Sequence, residues 1–178
     1  MALQGAFIEH EQMLQRIGVE TFEVRQLSDW RRPMDGFILP GGESTVQMRL
    51  LRQLGLLEPV RQAIQGGLPV LGTCAGMILL AEERLGTMDI RVRRNAYGRQ
   101  LGSFHTTGTV EGLGSDVPMT FIRAPYIAEV VSTRCQPIAT VGGHIVAARQ
   151  GRQIATAFHP ELDGDTRLHR LFVELMKV

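Results

Sequence analysis

Short apolar runs that stop at a turn and lead directly into a helical pattern constrain the fold of this chain most. Two such runs, residues 36–39 and 69–72, have the length and composition of strands that are buried on both faces. Helical patterns follow them over residues 44–54 and 75–83. Because parallel strands need helical crossovers, this alternation predicts an α/β fold, a three-layer sandwich around a mostly parallel central sheet.

Further elements extend the same domain. Helical apolar spacing over residues 7–17 ends at Gly18, and Gln47 follows Ser44 at the spacing of a capping box. The closing helix is predicted over residues 166–177, with His169 on its polar side. Because neither a repeat nor a polar linker interrupts the chain, we expect one domain over residues 1–178. The other predicted strands are 22–24, 120–122, 145–147 and 154–158, with a β-like stretch over 90–110.

Composition excludes several classes of protein. The chain has 178 residues, of which 44% are apolar and 21% charged, as in globular proteins and unlike disordered ones. Its net charge of +1 predicts neither a nucleic-acid nor a membrane partner. Two cysteines cannot build a disulfide framework, and the histidines lack metal-ligand spacing, so we expect a cytoplasmic protein without a metal or cofactor.

A cysteine stands at one of the strand-to-helix turns. Residues 72–76, G-T-C-A-G, have the form of a nucleophile elbow with a thiol, in which small residues let strand and helix approach while the turn exposes the nucleophile. Cys74 then lies at a helix N-terminus, which favours a thiolate, and the Ala75 N–H can face an oxyanion. The alternative is a small buried cysteine without a chemical role.

A histidine and a glutamate follow the last predicted strand. His159 comes where that strand ends, at the edge where open α/β sheets bind ligands, and Pro160 stiffens the turn toward Glu161. A thiol with a histidine base and an orienting carboxylate is the arrangement of an activated nucleophile. The alternative is a solvated loop histidine beside a surface glutamate.

Two more features point to anion binding. Gly41 and Gly42 join a predicted strand to a helix and expose backbone N–H groups, although by themselves they fit an ordinary turn with a serine cap better. Arg94 and Arg123 lie in apolar contexts, where a guanidinium can bind a carboxylate with both arms. Most arginines are instead exposed or ion-paired on the surface.

Together these segments resemble the triad-type (class I) glutamine amidotransferases, and within them the glutaminase subunits of pyridoxal 5′-phosphate synthase. The resemblance rests on five segments in the family's order: L-P-G-G-E-S-T (39–45), G-T-C-A-G (72–76), R-N-A-Y-G-R-Q (94–100), F-I-R-A-P (121–125) and F-H-P-E-L (158–162). It covers nearly the whole chain, including Leu3-Gln4-Gly5-Ala6 near the start, and implies the flavodoxin-like fold of that family.

The resemblance also implies roles for individual residues. Cys74 would attack the side-chain amide of L-glutamine, His159 would act as base and acid, and Glu161 would orient it. The implied oxyanion hole comprises Gly41, Gly42 and Ala75. The implied glutamine-binding residues are Gly42, Glu43, Ser44, Arg94, Ile122 and Arg123.

The implied partner is a (β/α)₈-barrel synthase subunit that receives the ammonia within a large hetero-oligomer. Two alternatives remain at this point: an amidotransferase subunit of another pathway, such as histidine or anthranilate synthesis, and a non-catalytic regulatory subunit of the same fold. The segments at 94–100 and 121–125 disfavour the first, and the intact triad disfavours the second.

Two departures from the family pattern carry structural expectations. Only Met1 and Ala2 precede Leu3, where the family has a complete apolar strand, so strand edges and core next to it are expected to be unsatisfied. The stretch over residues 81–86 is also shorter than the family's loop at this place.

Overall fold

The computed structural model describes residues 1–94 and 103–177. Six α-helices are found there: α1 Phe7–Arg16, α2 Leu27–Trp30, α3 Ser44–Gln53, α4 Leu57–Gln65, α5 Ala75–Leu80 and α6 Arg167–Glu174. The nine strands in the same residues are β1 Phe37–Leu39, β2 Val70–Thr73, β3 Ile90–Arg93, β4 Ser103–Val110, β5 Gly114–Ile122, β6 Tyr126–Val130, β7 Cys135–Val141, β8 His144–Gln150 and β9 Gln153–Thr156.

Seven of these strands form one mixed sheet in the order β1-β2-β9-β8-β6-β3, with β7 also paired to β8. The predicted α/β fold class is confirmed, but the prediction of a mostly parallel sheet is wrong, because the sheet is mixed. The parallel part is limited to β1, β2 and β9, because β8, β6, β3 and β7 join through antiparallel pairings. Strands β4 and β5 form a separate antiparallel hairpin.

The parallel strands deliver two chain segments to the same edge of the sheet. In the β2–β9 register Thr73 pairs with Thr156, so both strands end side by side. All residues of both strands are buried, as expected of strands covered on both faces. Cys74 follows β2 directly and His159 lies three residues after β9, so the fold places both side chains at this edge.

Helix α5 packs closely on the sheet because two positions have no side chain. A Cβ on Gly76 would lie 1.9 Å from the Leu39 carbonyl oxygen, and one on Gly72 would lie 2.8 Å from the Gly76 backbone. Every residue of α5 is buried. The predicted reason for glycines at this turn, close approach of helix and strand, is therefore confirmed.

Several predicted elements differ from the structure. Residues 22–24 form no strand; among the described backbone contacts, this segment accepts one hydrogen bond, from the Ala2 N–H to the Val24 carbonyl. Helix α5 ends at Leu80 because Ala81 is extended and begins a tight turn. Helix α4 and strands β6 and β7 are not predicted from the sequence. The α4 stretch carries Pro59 inside its first turn, a residue that weakens a sequence-based helix pattern.

The N-terminal residues lie beside β1. The Met1 amino group donates to the Ile38 carbonyl at 2.8 Å, and burial lowers its pKa to about 5. Beside it lies a groove of about 380 Å³ between β1 and residues 19–24.

The short stretch after α5 is a compact turn. Its N–H groups at Arg84 and Gly86 both donate to the Ala81 carbonyl. Within residues 1–94 and 103–177, no helix is long and apolar enough to cross a membrane.

Candidate active site

The turn that carries Cys74 has an unusual backbone. Cys74 is the residue before α5 and has φ 48° and ψ −99°, a conformation that costs a non-glycine residue free energy. Its N–H donates to the Thr156 carbonyl at 2.7 Å, which ties the turn to the end of β9. The strained turn aims a largely buried thiol, 8% exposed, at the open edge of the sheet. This is the geometry of the nucleophile elbow predicted from the sequence.

His159 contacts both other members of the predicted triad. Its Nδ1 lies 2.6 Å from Glu161 Oε1, and the Cys74 side chain is near enough to the ring to raise the pKa of His159. Since Nδ1 faces the carboxylate, Nε2 is the ring nitrogen left for sulfur. The His159 backbone is held by its N–H, which donates to the Thr120 carbonyl of β5 at 2.8 Å.

The electrostatics of His159 follow from these contacts. Burial alone would lower its pKa, but hydrogen bonds and charge from Cys74 and Glu161 outweigh burial and raise the pKa to about 10. A proton therefore stays on the imidazole at neutral pH. Gly41 packs against the same ring, since a Cβ there would lie 2.3 Å from His159 Cε1.

A cleft of about 440 Å³ opens above Cys74 and His159. It brings together most side chains named from the sequence, while Gly41 and Glu161 lie behind the His159 ring. The predicted residues that line it are Gly42, Glu43, Ser44, Cys74, Ala75, Arg94, Ile122, Arg123 and His159.

The position of Gly41 differs from the predicted oxyanion hole. Its N–H donates to Thr73 Oγ1 at 3.0 Å, so in this conformation it is engaged and not free for a substrate. Gly42 and Ala75 face the cleft and remain predictions for that role. The reason for the difference is tertiary: Thr73, at the end of β2, lies under the glycine turn.

Ser44 does not cap its helix as predicted. Glu43 takes the N-cap position and Ser44 is the first helical residue, and no side chain makes a capping hydrogen bond to this helix. Gln47 instead donates Nε2 to the Gln4 and Pro40 carbonyls. Ser44 Oγ is buried at the cleft and has no hydrogen-bond partner among the described residues. A polar ligand in the cleft would satisfy it.

The two arginines lie at the rim of the cleft. Arg94 Nη2 lies 3.6 Å from Glu43 Oε1, so these residues meet across the opening. Arg123 has φ 43°, a left-handed conformation, and follows Ile122, which is 40% exposed. The rest of the R-N-A-Y-G-R-Q segment, residues 95–100, lies outside the described residues.

Sequence reasoning missed several residues of the site and its surroundings. Gln4, Ile78 and Pro125 also line the cleft. Gln4 Oε1 accepts the Glu43 N–H at 2.8 Å, and the only sequence signal for it was the L-Q-G segment within the resemblance. The prediction that His169 lies on the polar side of α6 is wrong: it is fully buried because it packs against His10 of α1, 159 positions away.

Comparisons with known proteins agree with this geometry. The family model described as the SNO glutamine amidotransferase family matches residues 1–178. The chain is 55% identical to the pyridoxal 5′-phosphate synthase subunit PdxT of Desulfitobacterium hafniense (strain DSM 10664 / DCB-2) over 181 residues, covering 98% of this chain and 90% of the relative. It is 50% identical to the same-named protein of Haemophilus influenzae (strain PittGG), covering 100% and 97%.

Solved structures support the same conclusion. A crystal structure of a glutamine amidotransferase superposes with a TM-score of 0.93 at 43% identity, covering 100% of this chain and 97% of the other. A glutamine amidotransferase from Thermotoga maritima shares the fold at a TM-score of 0.65 and 15% identity, covering 98% and 81%. On the full-length family match and these relatives, the chain belongs to the SNO glutamine amidotransferase family.

Proposed function

We propose that this chain, acting as one amidotransferase domain, is the glutaminase subunit of a pyridoxal 5′-phosphate synthase. In this proposal it hydrolyses L-glutamine to L-glutamate and ammonia, and the ammonia passes to the synthase subunit. The observation that carries the reaction is that Cys74 and His159 line one cleft, with Glu161 hydrogen-bonded to His159 behind it. The relatives named pyridoxal 5′-phosphate synthase subunit PdxT support the pathway.

The first half of the reaction forms a thioester. The Cys74 thiol gives its proton to His159 as its sulfur attacks the side-chain carbonyl carbon of glutamine. The carbonyl oxygen becomes an oxyanion that the N–H groups of Gly42 and Ala75 can receive. His159 then gives its proton to the amide nitrogen, the C–N bond breaks, and ammonia leaves a glutamyl thioester on Cys74.

The second half returns the enzyme to its starting state. Water takes the place of ammonia, His159 removes its proton, and the resulting hydroxide attacks the thioester carbon. The C–S bond breaks, the sulfur leaves with its electron pair, and glutamate is released. Through both halves Glu161 keeps His159 Nδ1 protonated and the ring oriented, as the carboxylate of a nucleophile–histidine–acid triad does.

Groups at the cleft can recognise the amino-acid end of glutamine. Its α-carboxylate matches the guanidinium of Arg94 or Arg123, and its ammonium matches the Glu43 carboxylate. Ser44 Oγ, buried without a partner among the described residues, can bond the substrate. Ile122 supplies apolar contact for the methylene chain.

The proposed partner is a (β/α)₈-barrel synthase subunit in a hetero-oligomer in the cytoplasm. Ammonia is neutral only until it takes a proton from water, so a closed route to the next active site preserves its nucleophilicity. No specific observation favours an amidotransferase of another pathway, because the likeness to the Thermotoga maritima protein, at 15% identity, supports the fold alone.

One assay tests the proposal. Ammonia release from glutamine is measured for the wild type and for Cys74→Ala, each with and without the synthase subunit. We expect release by the wild type in the presence of the synthase, and no release by Cys74→Ala. The matched control is Cys135→Ala, because Cys135 is buried away from the cleft and its pKa is raised to about 11 by burial. Persistent release by Cys74→Ala, or none by the wild type with the synthase, would refute the proposal.

A further inference from the structure

A pair of buried histidines lies directly behind Glu161. His10 of α1 is 2% exposed, His169 of α6 is fully buried, and their ring nitrogens Nδ1 and Nε2 lie 2.9 Å apart. The other nitrogen of His10, Nε2, lies 3.1 Å from Thr73 Oγ1 and 3.4 Å from Glu161 Oε2. Neither histidine touches the cleft.

Glu161 needs a donor on the side away from His159. Its Oε1 takes the His159 contact, while Oε2 is buried and has no hydrogen bond of regular geometry among the described residues. A buried carboxylate oxygen without a donor is costly. His10 Nε2, at 3.4 Å, is positioned to supply that donor with a small adjustment.

The contacts determine which nitrogen of His10 carries the proton. If Nδ1 carried it, His169 would accept at Nε2 and hold its own proton on Nδ1, which is buried with no partner among the described residues. The lone pair of His10 Nε2 would then face the Glu161 carboxylate. If Nε2 carries the proton, His169 Nε2 donates to His10 Nδ1, and His10 donates toward Thr73 and Glu161. The second arrangement leaves no buried N–H without an acceptor in this pair.

The surroundings of His10 keep it neutral. Burial lowers its pKa well below the usual value, and His169, the Met1 amino group and His159 lower it further. Burial also lowers the pKa of His169 to about 4. Glu161 is the acidic group that contacts His10. A neutral imidazole can donate from only one nitrogen, so the contact with His169 fixes the direction of that donation.

We propose that His10 is a positioning residue for the glutaminase reaction, donating from Nε2 to Glu161 Oε2 while His169 fixes its tautomer. This inference rests on the proposed function, because it assigns Glu161 the role of orienting His159. Thr73 joins the same network, since its Oγ1 also accepts the Gly41 N–H. The histidine pair thus connects α1, α6, the end of β2 and the glycine turn to the triad.

Two amide replacements separate positioning from packing. His10→Gln can place an amide N–H near the position of Nε2, whereas His10→Asn can place one only near Nδ1. With the synthase present, we expect kcat for glutamine hydrolysis to fall about tenfold or more in His10→Asn, because the triad is misoriented, and by less than about threefold in His10→Gln. KM should change less than about twofold in both variants, because His10 does not line the cleft.

Met13→Ala is the control for packing. Met13 lies one turn further along α1, is 1% exposed and has no contact with Glu161 among those described. We expect it to lower thermal stability while kcat is retained. Equal kcat in His10→Asn and wild type, or an equal loss in His10→Asn, His10→Gln and Met13→Ala, would overturn the proposal.

A spectroscopic measurement remains decisive even if the variants fold poorly. Nitrogen-15 NMR of the wild-type histidine rings should show His10 as the neutral Nε2–H tautomer near pH 7. The Nδ1–H tautomer, or an imidazolium, would overturn the inference. The Cys74→Ala assay separates the two proposals: ammonia release by that variant refutes the proposed function, whereas the His10 tautomer is read independently of activity.

Discussion

At Cys74, the strained backbone and the side-chain chemistry depend on each other. The positive φ turns the thiol toward His159, and the bond from the Cys74 N–H to Thr156 holds that conformation against its cost. His159 in turn stays protonated because Cys74 and Glu161 outweigh its burial. The contacts among Cys74, His159 and Glu161 therefore place the thiol beside a protonated imidazole before substrate binds.

Replacing Glu161 by Gln should show how much the carboxylate contributes. The amide keeps the shape but removes the charge and lets His159 lose its proton more easily, so we expect the pKa of His159 to fall from about 10. We expect kcat to fall about 100-fold or more, because a neutral amide can stabilise the wrong tautomer of the imidazole. NMR titration of His159 and steady-state kinetics check both effects, and an unchanged pKa with full kcat would contradict them.

Motif residues are predictable at the residue scale, and the residues supporting them are not. Cys74 and His159 stand at strand ends, where local sequence alone predicts a turn at a sheet edge. Gln4 and Thr73 act through bonds to Glu43 and Gly41, residues 39 and 32 positions away. Such roles depend on which elements become neighbours, and a single sequence does not display that.

At the scale of elements, the parallel part of the sheet and the approach of α5 position the site. Strands β1, β2 and β9 are predictable from the sequence because each contains a short apolar run that ends at a turn. Strands β6 and β7 are not, because their exposed and buried positions mix irregularly, with register shifts in β7. Residues 22–24 accept one backbone hydrogen bond among the described contacts, from the Ala2 N–H, which is too few for a strand.

Gly76→Ala tests the contact between α5 and β1. The added Cβ would meet the Leu39 carbonyl at 1.9 Å, so backbone must move. We expect a loss of about 1–3 kcal/mol in the free energy of unfolding, and a fall in kcat because Cys74 shifts with the helix. Gly66→Ala is the control, because φ there is −74° and the nearest atom lies at 3.2 Å. Equal stability of both variants, measured by thermal unfolding, would contradict the argument.

The contact between α1 and α6 should make stability depend on acid. His10 and His169 are neutral in the folded state, while free histidine titrates at 6.5, so the unfolded state binds more protons below that pH. Stability is therefore lost as pH falls, by up to about 1.4 kcal/mol per pH unit for each such group. The buried Met1 amino group acts in the same direction.

Urea unfolding at pH 6.5 and pH 5 checks this expectation. His159 contributes only a small slope of the opposite sign in that window, because its raised pKa keeps it protonated in the folded state while the unfolded-state histidine completes its protonation between pH 6.5 and 5. The wild type should be less stable at pH 5, and the double variant His10→Gln/His169→Gln should lose less over the same interval. Equal slopes in the two proteins would show that the histidine pair is not the source.

At the scale of the whole molecule, the cleft opens at a rim that includes Glu43, Arg94, Ile122 and Arg123, all exposed. In the proposed assembly, ammonia leaves this cleft for the synthase without entering bulk solvent. Isotopic competition checks this: with amide-labelled glutamine and unlabelled ammonium in the medium, the product should carry the glutamine label.

One result would contradict that route, and Cys74→Ala provides a second check of it. Dilution of the label in proportion to the external ammonium would contradict direct transfer. Cys74→Ala should still associate with the synthase, because the substitution removes a thiol and leaves the surface unchanged. Product formation by that complex should then depend on added ammonium salt.

The most direct test of the account is the identity of the nucleophile. A glutamine analogue with a diazoketone in place of the amide, 6-diazo-5-oxo-L-norleucine, alkylates a thiolate with loss of dinitrogen. Peptide mass spectrometry of the chain treated with the synthase present should find the adduct on Cys74, with loss of glutaminase activity in step with labelling and protection by glutamine. An adduct on Cys135, or full inactivation with Cys74 unmodified, would contradict the account.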